Sequence, residues 1–177
     1  MVAPTNVKGL FTIRRKLYER TVRFFKENRI AHAVLFFTYK ILPNIMFVAY
    51  PVMLVVEFFI LGFCWEWAKL AVIPFGTLVF ATLLRMFINA QRPYEKYEIE
   101  SVFGKKTEGN SMPSRHTVSA VVIAMTFLYV NVPLGIIALI AAFLIVLSRV
   151  QAGAHFLRDV IVGLMIGMCA GQLFWVI

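Results

Sequence analysis

The stretch Ser148–Asp159, SRVQAGAHFLRD, separates two long apolar runs near the C-terminal end of the chain. Ionisable side chains are costly between apolar membrane segments, so a function is the first explanation for them. His155 and Asp159 are four residues apart, or one helical turn. This spacing predicts a shared helix face on which the carboxylate accepts a hydrogen bond from the imidazole. A histidine oriented in this way is suited to act as a base or a nucleophile.

Further basic and polar residues, in this stretch and in two earlier ones, are of the types that bind phosphate. Arg149 ends the preceding apolar run, where its guanidinium can meet an anion in front of the histidine. Arg85 and Arg92 are seven residues apart, about two turns, so both are predicted to project from one face near the end of a helix. Ser114, in the sequence PSRH, is the predicted N-cap of an apolar helix with His116 in its first turn. The free N–H groups and the dipole at such a helix start attract anions.

These three fragments, in this order and with these internal spacings, resemble the three-part signature of the type 2 phosphatidic acid phosphatase family. That family shares its site with vanadium-dependent haloperoxidases. The resemblance covers about residues 43–177. It departs at two positions, since Arg85 stands where the family usually has Lys and Arg115 where it usually has Gly. The first change keeps a cation, and the second adds one where a close backbone approach to phosphate is usual.

The resemblance implies a role for each site residue. His155 attacks phosphorus, Asp159 fixes the tautomer of His155, and His116 protonates the leaving alkoxide and then activates water. The negative charge of the transition state calls for a clamp of cations and donors, which is assigned to Arg85, Arg92, Ser114, Arg115 and Arg149. No metal or other cofactor is expected, because no carboxylate cluster with ligand spacing accompanies Asp159.

Composition places the chain among membrane proteins. Its 177 residues are 60% hydrophobic, and the mean hydropathy is +0.79, which predicts an all-α, integral membrane helical bundle. The net charge of +9 is carried beside apolar segments, so anionic lipid headgroups are expected as partners, and nucleic acid is not. Cys64 and Cys169 give no disulfide framework. The oligomeric state stays open.

Two parts of the chain are predicted. Residues 1–42 form a basic amphipathic interfacial segment, and residues 43–177 form a transmembrane phosphatase domain. Six basic residues between positions 14 and 26 alternate with apolar ones at helical spacing, which favours an interfacial helix over a soluble basic tail. Residues 30–42 are apolar but too short to cross a core of about 30 Å.

Five transmembrane helices are predicted in the second part: Ile45–Phe63, Trp67–Ala90, Ser114–Asn131, Leu134–Arg149 and His155–Ile177. Glu57 is expected to pair with Lys69 across the turn between the first two. Glycines at intervals of four in the last span predict close helix packing. The polar loop Gln91–Pro113 either gates access of a headgroup or is a plain solvated connection.

Following the spans from face to face places all three motifs at one membrane surface. Of the 18 Lys and Arg, only Lys69 lies toward the other face. Short basic flanks stay cytoplasmic, so five spans predict a multi-pass cell-membrane protein with a cytoplasmic site. The family resemblance implies instead an outer face, usually with six spans. The difference depends on whether residues 22–42 cross the membrane.

The leading interpretation is a lipid phosphate phosphatase acting on phosphatidic acid, phosphatidylglycerol phosphate or a polyprenyl diphosphate. A lipid phosphotransferase using the same phosphohistidine is one alternative. A non-enzymatic anion-binding membrane protein is another, although it has no use for a His–Asp pair with a second His. Haloperoxidase activity is less expected, because those relatives are soluble and depend on vanadate.

Overall fold

The computed structural model describes residues 5–177, with side chains from residue 11 onward, and every regular element in this part is a helix. The helices are α1 (Thr5–Glu27), α2 (Arg29–Phe36), α3 (Leu42–Leu61), α4 (Trp65–Ile88), α5 (Pro93–Tyr97), α6 (Arg115–Val130), α7 (Val132–Gln151) and α8 (Leu157–Val176). A π-helical turn, Phe37–Ile41, joins α2 to α3. The predicted all-α class is confirmed.

The first membrane helix is longer than predicted. Arg29–Leu61 is one helical stretch of 33 residues, about 50 Å long at 1.5 Å per residue. The π-helical turn keeps it continuous, because the N–H of Leu42 donates to the carbonyl of Phe37, five residues earlier. The treatment of residues 30–42 as a separate short segment is therefore wrong. The boundary predicted between residues 42 and 43 falls inside a helix, and as a division into domains it stays a prediction.

The continuous helix also bears on the number of crossings. A six-span arrangement needs a tight hairpin at Pro43 and Asn44, yet both residues lie within the helical stretch. Within residues 5–177, four stretches are long and apolar enough to cross a membrane: Arg29–Leu61, Trp65–Tyr97, Val132–Gln151 and Leu157–Val176. Helix α6 is a shorter apolar helix. With α6 they correspond to the five predicted spans.

Helix α6 lies at the centre of the bundle and packs against α4, α7 and α8. Its Val121 and Ala124 form a buried cluster with Ile145 of α7. The glycines of α8 face α6, as predicted: a Cβ at Gly167 would lie 2.8 Å from the Cβ of Val121, closer than side chains approach. The close approach of α8 to α6 brings their first turns together at one end of the bundle.

The far end of the bundle contains a closed charge network. Lys69 Nζ lies 2.9 Å from the Glu66 carboxylate and 3.3 Å from the Tyr129 hydroxyl, which in turn donates to Glu66 at 2.8 Å. The prediction that Lys69 pairs with Glu57 is wrong, because Lys69 pairs with Glu66. Glu66 precedes Lys69 by three residues on the same helix, so the two side chains are neighbours on its surface.

Helix α1 packs across the end of the bundle that carries the motifs. Val22, 6% exposed, belongs to a buried cluster with Tyr39 and with Ala154 from the loop before α8. Tyr18 donates from its hydroxyl to the carbonyl of His155 at 3.2 Å. The opposite side of α1 presents exposed apolar side chains such as Leu17, in keeping with the predicted amphipathic character. Residues 1–4 of the predicted interfacial segment lie outside the described residues.

Candidate active site

Backbone hydrogen bonds connect the three motif-bearing segments. The N–H of Ser111, in the loop before α6, donates to the carbonyl of Ala90 after α4 at 2.8 Å. The N–H of Ser114 donates to the carbonyl of Asp159 in α8 at 3.1 Å. The segments that carry Arg85 and Arg92, Ser114, and Asp159 are thus held at one end of the bundle, where the sequence placed them.

Arg92 does not lie on the same helix as Arg85. Helix α4 ends at Ile88 and is capped by Asn89, whose backbone is left-handed with φ 43° and whose N–H donates to the carbonyl of Arg85. Arg92 falls beyond this cap, at the start of α5. The predicted shared helix face is therefore wrong, although both arginines are buried, with 9% and 2% of their surface exposed.

The guanidinium of Arg92 is bound largely by backbone carbonyls. It donates to Gly109 at 3.1 Å, to Ala154 at 3.4 Å and to Asn110 at 3.5 Å. These contacts connect the start of α5 to the loop before α8. An arginine has five N–H donors, so two remain for a ligand.

Arg149 is 2% exposed and has no carboxylate partner among the described residues. Its Nη2 donates to the carbonyl of Tyr39 at 2.7 Å, and its guanidinium lies 4.1 Å from the centre of the Tyr39 ring. Its Nε is buried and has no hydrogen-bond partner in residues 5–177. A buried donor and cation without an acid is costly, and a bound anion would offset that cost.

The start of α6 contributes three residues with different exposures. Ser114 is fully buried and is the N-cap, as predicted, but its Oγ accepts from Thr117 Oγ1 at 3.1 Å, and no backbone N–H of α6 donates to it. Arg115 and His116 follow in the first turn, and both are exposed. His116 therefore faces open space at the positive end of the helix.

A polar cavity of about 360 Å³ lies in front of His116. It is lined by Tyr39, Lys40, Pro43, Asn44, Phe103, Lys105, His116 and Arg149. A second cavity of about 280 Å³ shares Pro43, Asn44 and His116 with it and extends to Phe47 and Leu78. An apolar cleft continues past Phe47 and Leu78 between α3 and α4. Apolar surface thus continues from the site along α3 and α4, where Phe47 and Phe75 are exposed.

Ser111 lies between the predicted His–Asp pair. His155, 1% exposed, is in the loop before α8, so it does not share a helix face with Asp159, and that prediction is wrong. Its Nδ1 is 3.8 Å from Asp159 Oδ2, too far for a hydrogen bond. The Oγ of Ser111 lies 3.4 Å from this Nδ1 and donates to Oδ2 at 2.5 Å. Oδ2 also accepts the N–H of Phe156 at 2.9 Å.

Two titratable groups outside the spans are shifted by this environment. Burial lowers the pKa of His155 to about 4, against the opposing effect of Asp159. Burial also lowers the pKa of Lys105 to about 8, and the positive charges of Arg92 and Arg149 add to the effect. His155 is therefore neutral at neutral pH, as a nucleophile has to be.

Ser111 and Lys105 were missed by the sequence reasoning. Ser111 belongs to none of the three motifs, and a serine in a polar loop gives no signal of its own. Lys105 is one of several charges in that loop, and its neighbours Lys106 and Glu108 are exposed. Only the folded loop, with Phe103 stacked on Tyr39 at 4.9 Å between ring centres, directs Lys105 into the cavity.

The comparisons with known proteins identify the family of the chain. The model of the PAP2 superfamily matches residues 66–177, which include all three motifs. The chain belongs to the PAP2 superfamily. The resemblance to type 2 phosphatidic acid phosphatases is thereby confirmed, and the chain is a membrane enzyme of the lipid phosphatase class.

Two solved structures are similar to the chain. The crystal structure of Aquifex aeolicus LpxE aligns with a TM-score of 0.68 and 26% identity, covering 88% of this chain and 93% of that one. The crystal structure of the first transmembrane PAP2-type phosphatidylglycerolphosphate phosphatase from Bacillus subtilis aligns with a TM-score of 0.62 and 20% identity. That alignment covers 99% of this chain and 95% of the other, and supports the fold.

Proposed function

We propose that the protein hydrolyses a phosphate ester or diphosphate of a membrane lipid through a phosphohistidine on His155, without a metal ion. The observation that carries this proposal is the polar cavity itself. It is lined by His116 and by Arg149, a buried cation with an unpaired donor. The second cavity, which also contacts His116, lies between it and the apolar cleft. A lipid phosphate fits both parts, with its anionic group in the polar cavity and its hydrocarbon chain in the apolar cleft.

The clamp provides most of the catalytic effect. A phosphoryl transition state spreads negative charge over three equatorial oxygens, and fixed cations and N–H groups stabilise that charge without reorganising. Arg149 and Arg85 supply guanidinium donors, and neither forms a salt bridge with a carboxylate within residues 11–177. Arg92 adds its two remaining donors, Arg115 adds a further cation, and Ser114 holds the start of α6 in place.

The reaction has two steps. In the first, the Nε2 lone pair of neutral His155 forms a bond to phosphorus while the bond to the lipid oxygen breaks, and His116 gives that oxygen a proton. In the second, His116 takes a proton from water, whose oxygen attacks phosphorus and releases His155. The negative charge of Asp159 stabilises the imidazolium character of phosphorylated His155.

The apolar cleft favours a substrate that stays in the membrane. Phe47, Leu78 and Ile123 line it from α3, α4 and α6, and its volume of about 340 Å³ lies within the range of ligand pockets. The candidates are phosphatidic acid, phosphatidylglycerol phosphate and a polyprenyl diphosphate, presented with the phosphate at the polar end.

Phosphate release from these three lipids by the purified protein in detergent tests the proposal. We expect release from at least one of them in the presence of excess chelator, and none by His155→Ala. Transfer of the phosphate to an acceptor alcohol with no release to water would support the phosphotransferase instead. Vanadate binding without turnover of any lipid would support a non-enzymatic anion-binding protein.

We also propose that the site faces the cytoplasm. The continuous helix Arg29–Leu61 leaves α1, with its many basic residues, on the same face as the motifs. Cysteines introduced singly at Thr107 and Asn131, in a background lacking Cys64 and Cys169, test this with a membrane-impermeant thiol reagent on intact cells. We expect labelling at Asn131 only, and labelling at Thr107 only would place the site outside.

A further inference from the structure

We propose that Ser111 is a positioning residue that couples Asp159 to His155. Ser111 is fully buried, and its Oγ lies within reach of both side chains, 3.4 Å from Nδ1 and 2.5 Å from Oδ2. The two side chains themselves are 3.8 Å apart at these atoms. The hydroxyl therefore provides the hydrogen-bonded connection that the direct pair lacks.

The donor pattern determines what this connection does. Asp159 is an acceptor only, so the hydroxyl proton of Ser111 points to Oδ2 and its oxygen lone pair is left for His155. Nδ1 of His155 then has to carry the ring proton, which leaves the lone pair on Nε2. This is the tautomer that attacks phosphorus, so Ser111 acts through His155 and touches no substrate. The inference rests on the proposed role of His155.

The backbone around Ser111 keeps its side chain in this position. Its N–H donates to the carbonyl of Ala90 at 2.8 Å, which ties it to the segment after α4. Asp159 is fixed in turn, because Oδ2 accepts the N–H of Phe156 and its own carbonyl accepts the N–H of Ser114. The backbone contacts of Ser111 and of Asp159 thus fix the Ser111 hydroxyl between the second and third motifs.

The variant Ser111→Ala tests the coupling. With dioctanoyl phosphatidic acid in detergent, we expect kcat to fall about 30-fold with KM nearly unchanged, the effect of losing a hydrogen bond to a charged group. Thr126→Val is the matched control, since Thr126 is also fully buried but bonds only the carbonyl of Val122 in α6. Its kcat should equal that of the wild type.

A double variant separates positioning from a structural role. In the Asp159→Asn background, Ser111→Ala should lower kcat by less than about 3-fold, because the partner of the hydroxyl has already been changed. The same 30-fold loss in both backgrounds, or a wild-type kcat in Ser111→Ala, would overturn the proposal. Ser111→Cys keeps a weak donor, so its kcat should lie between those of the wild type and Ser111→Ala. This variant replaces Ser111→Ala in the test if the alanine variant does not fold. A wild type that hydrolyses no lipid phosphate would instead refute the proposed function.

A different observation points to a substrate-binding residue outside the motifs. We infer that Lys105 binds the phosphate of the substrate. Lys105 lines the polar cavity with His116 and Arg149, and no carboxylate in residues 5–177 pairs with it. Its backbone N–H is fixed by Ser101 Oγ at 2.7 Å, so the loop holds the lysine toward the cavity. A further cation among arginines is stabilised by an anion between them.

The neighbouring lysine provides a matched control for this inference. Lys106 is exposed and lines none of the cavities of the site. We expect Lys105→Met to raise the KM for dioctanoyl phosphatidic acid about 10-fold and the inhibition constant for vanadate by a similar factor, whereas Lys106→Met changes both less than 2-fold. Equal effects of the two substitutions would mean that Lys105 attracts the substrate only through the general positive charge of the surface, and would overturn the inference. Lys105→Arg should recover most of the affinity.

Discussion

Each end of the bundle buries a cation, but only one of the two cations has a carboxylate partner within residues 11–177. At the far end Lys69, 5% exposed, lies 2.9 Å from the carboxylate of Glu66 and is bonded to Tyr129. At the motif end Arg149, 2% exposed, donates to the carbonyl of Tyr39 and keeps an unpaired Nε. The first network is complete without a ligand, and the second is not.

The comparison separates structural charges from functional ones. A buried charge is tolerated when a partner of opposite sign offsets its desolvation, as Glu66 does for Lys69. The motif end brings Arg85, Arg149 and Lys105 near one another, and none of the three forms a salt bridge within residues 11–177. The buried carboxylate at this end, Asp159, accepts from Ser111 and lies 3.5 Å from Arg158. In the proposed function, the phosphate of the substrate supplies the missing anion. Removing charges should therefore affect rate at one end and stability at the other.

The largest expected effect is the loss of the nucleophile. His155→Ala should lower kcat more than 1000-fold, on the order of what a missing covalent nucleophile costs, and no phosphorylated enzyme should be trapped after a rapid quench. His116→Ala should still give some trapped phosphoenzyme with a substrate whose leaving group needs no proton. Trapped phosphate in His155→Ala would assign the nucleophile to another residue.

The unpaired cation gives the next effect. Arg149→Met should lower kcat/KM roughly 100- to 1000-fold, as the removal of one transition-state donor does. The melting temperature in detergent should stay the same or rise, because the variant removes a buried charge that lacks an acid. A large drop in melting temperature with an unchanged kcat/KM would reverse the assignment of the two ends.

A smaller effect should follow from pH. Lys105, with its pKa lowered to about 8, is charged below that pH and neutral above it. The positive charges of Arg92, Arg149, Arg85 and Arg115 act on it, His155 is neutral over this pH range, and Lys40 and His116 line the same cavity. The KM should therefore rise as pH increases from 7 to 9, by up to about 10-fold. A Lys105→Met variant should show a flat profile, and the same rise in that variant would assign the titration to another group.

Spacing along the chain predicted the common location of the three motifs better than it predicted the contacts among their residues. The order of the motifs and the apolar runs between them already require that all three lie at the same end of the bundle. The hydrogen bond from the N–H of Ser114 to the carbonyl of Asp159 connects two of them there. Helical phase was less informative, because Asn89 ends α4 before Arg92 and His155 precedes α8. Contacts between separate segments, such as that of Ser111 with Asp159, depend on the path of the loop before α6 in the folded protein. The local sequence carries no signal for that path.

The smallest expected effect belongs to the far end and completes the comparison. Lys69→Met removes the cation of a network in which Glu66 is half exposed, so water can solvate the carboxylate that remains. The melting temperature should fall by a few degrees at most, and kcat/KM should stay within 2-fold of the wild type. Glu66→Gln should lower the melting temperature more, since it leaves the buried ammonium of Lys69 without its counter-charge. If either variant lost activity in step with Arg149→Met while remaining folded, the far end would take part in catalysis and the division between the ends would fail.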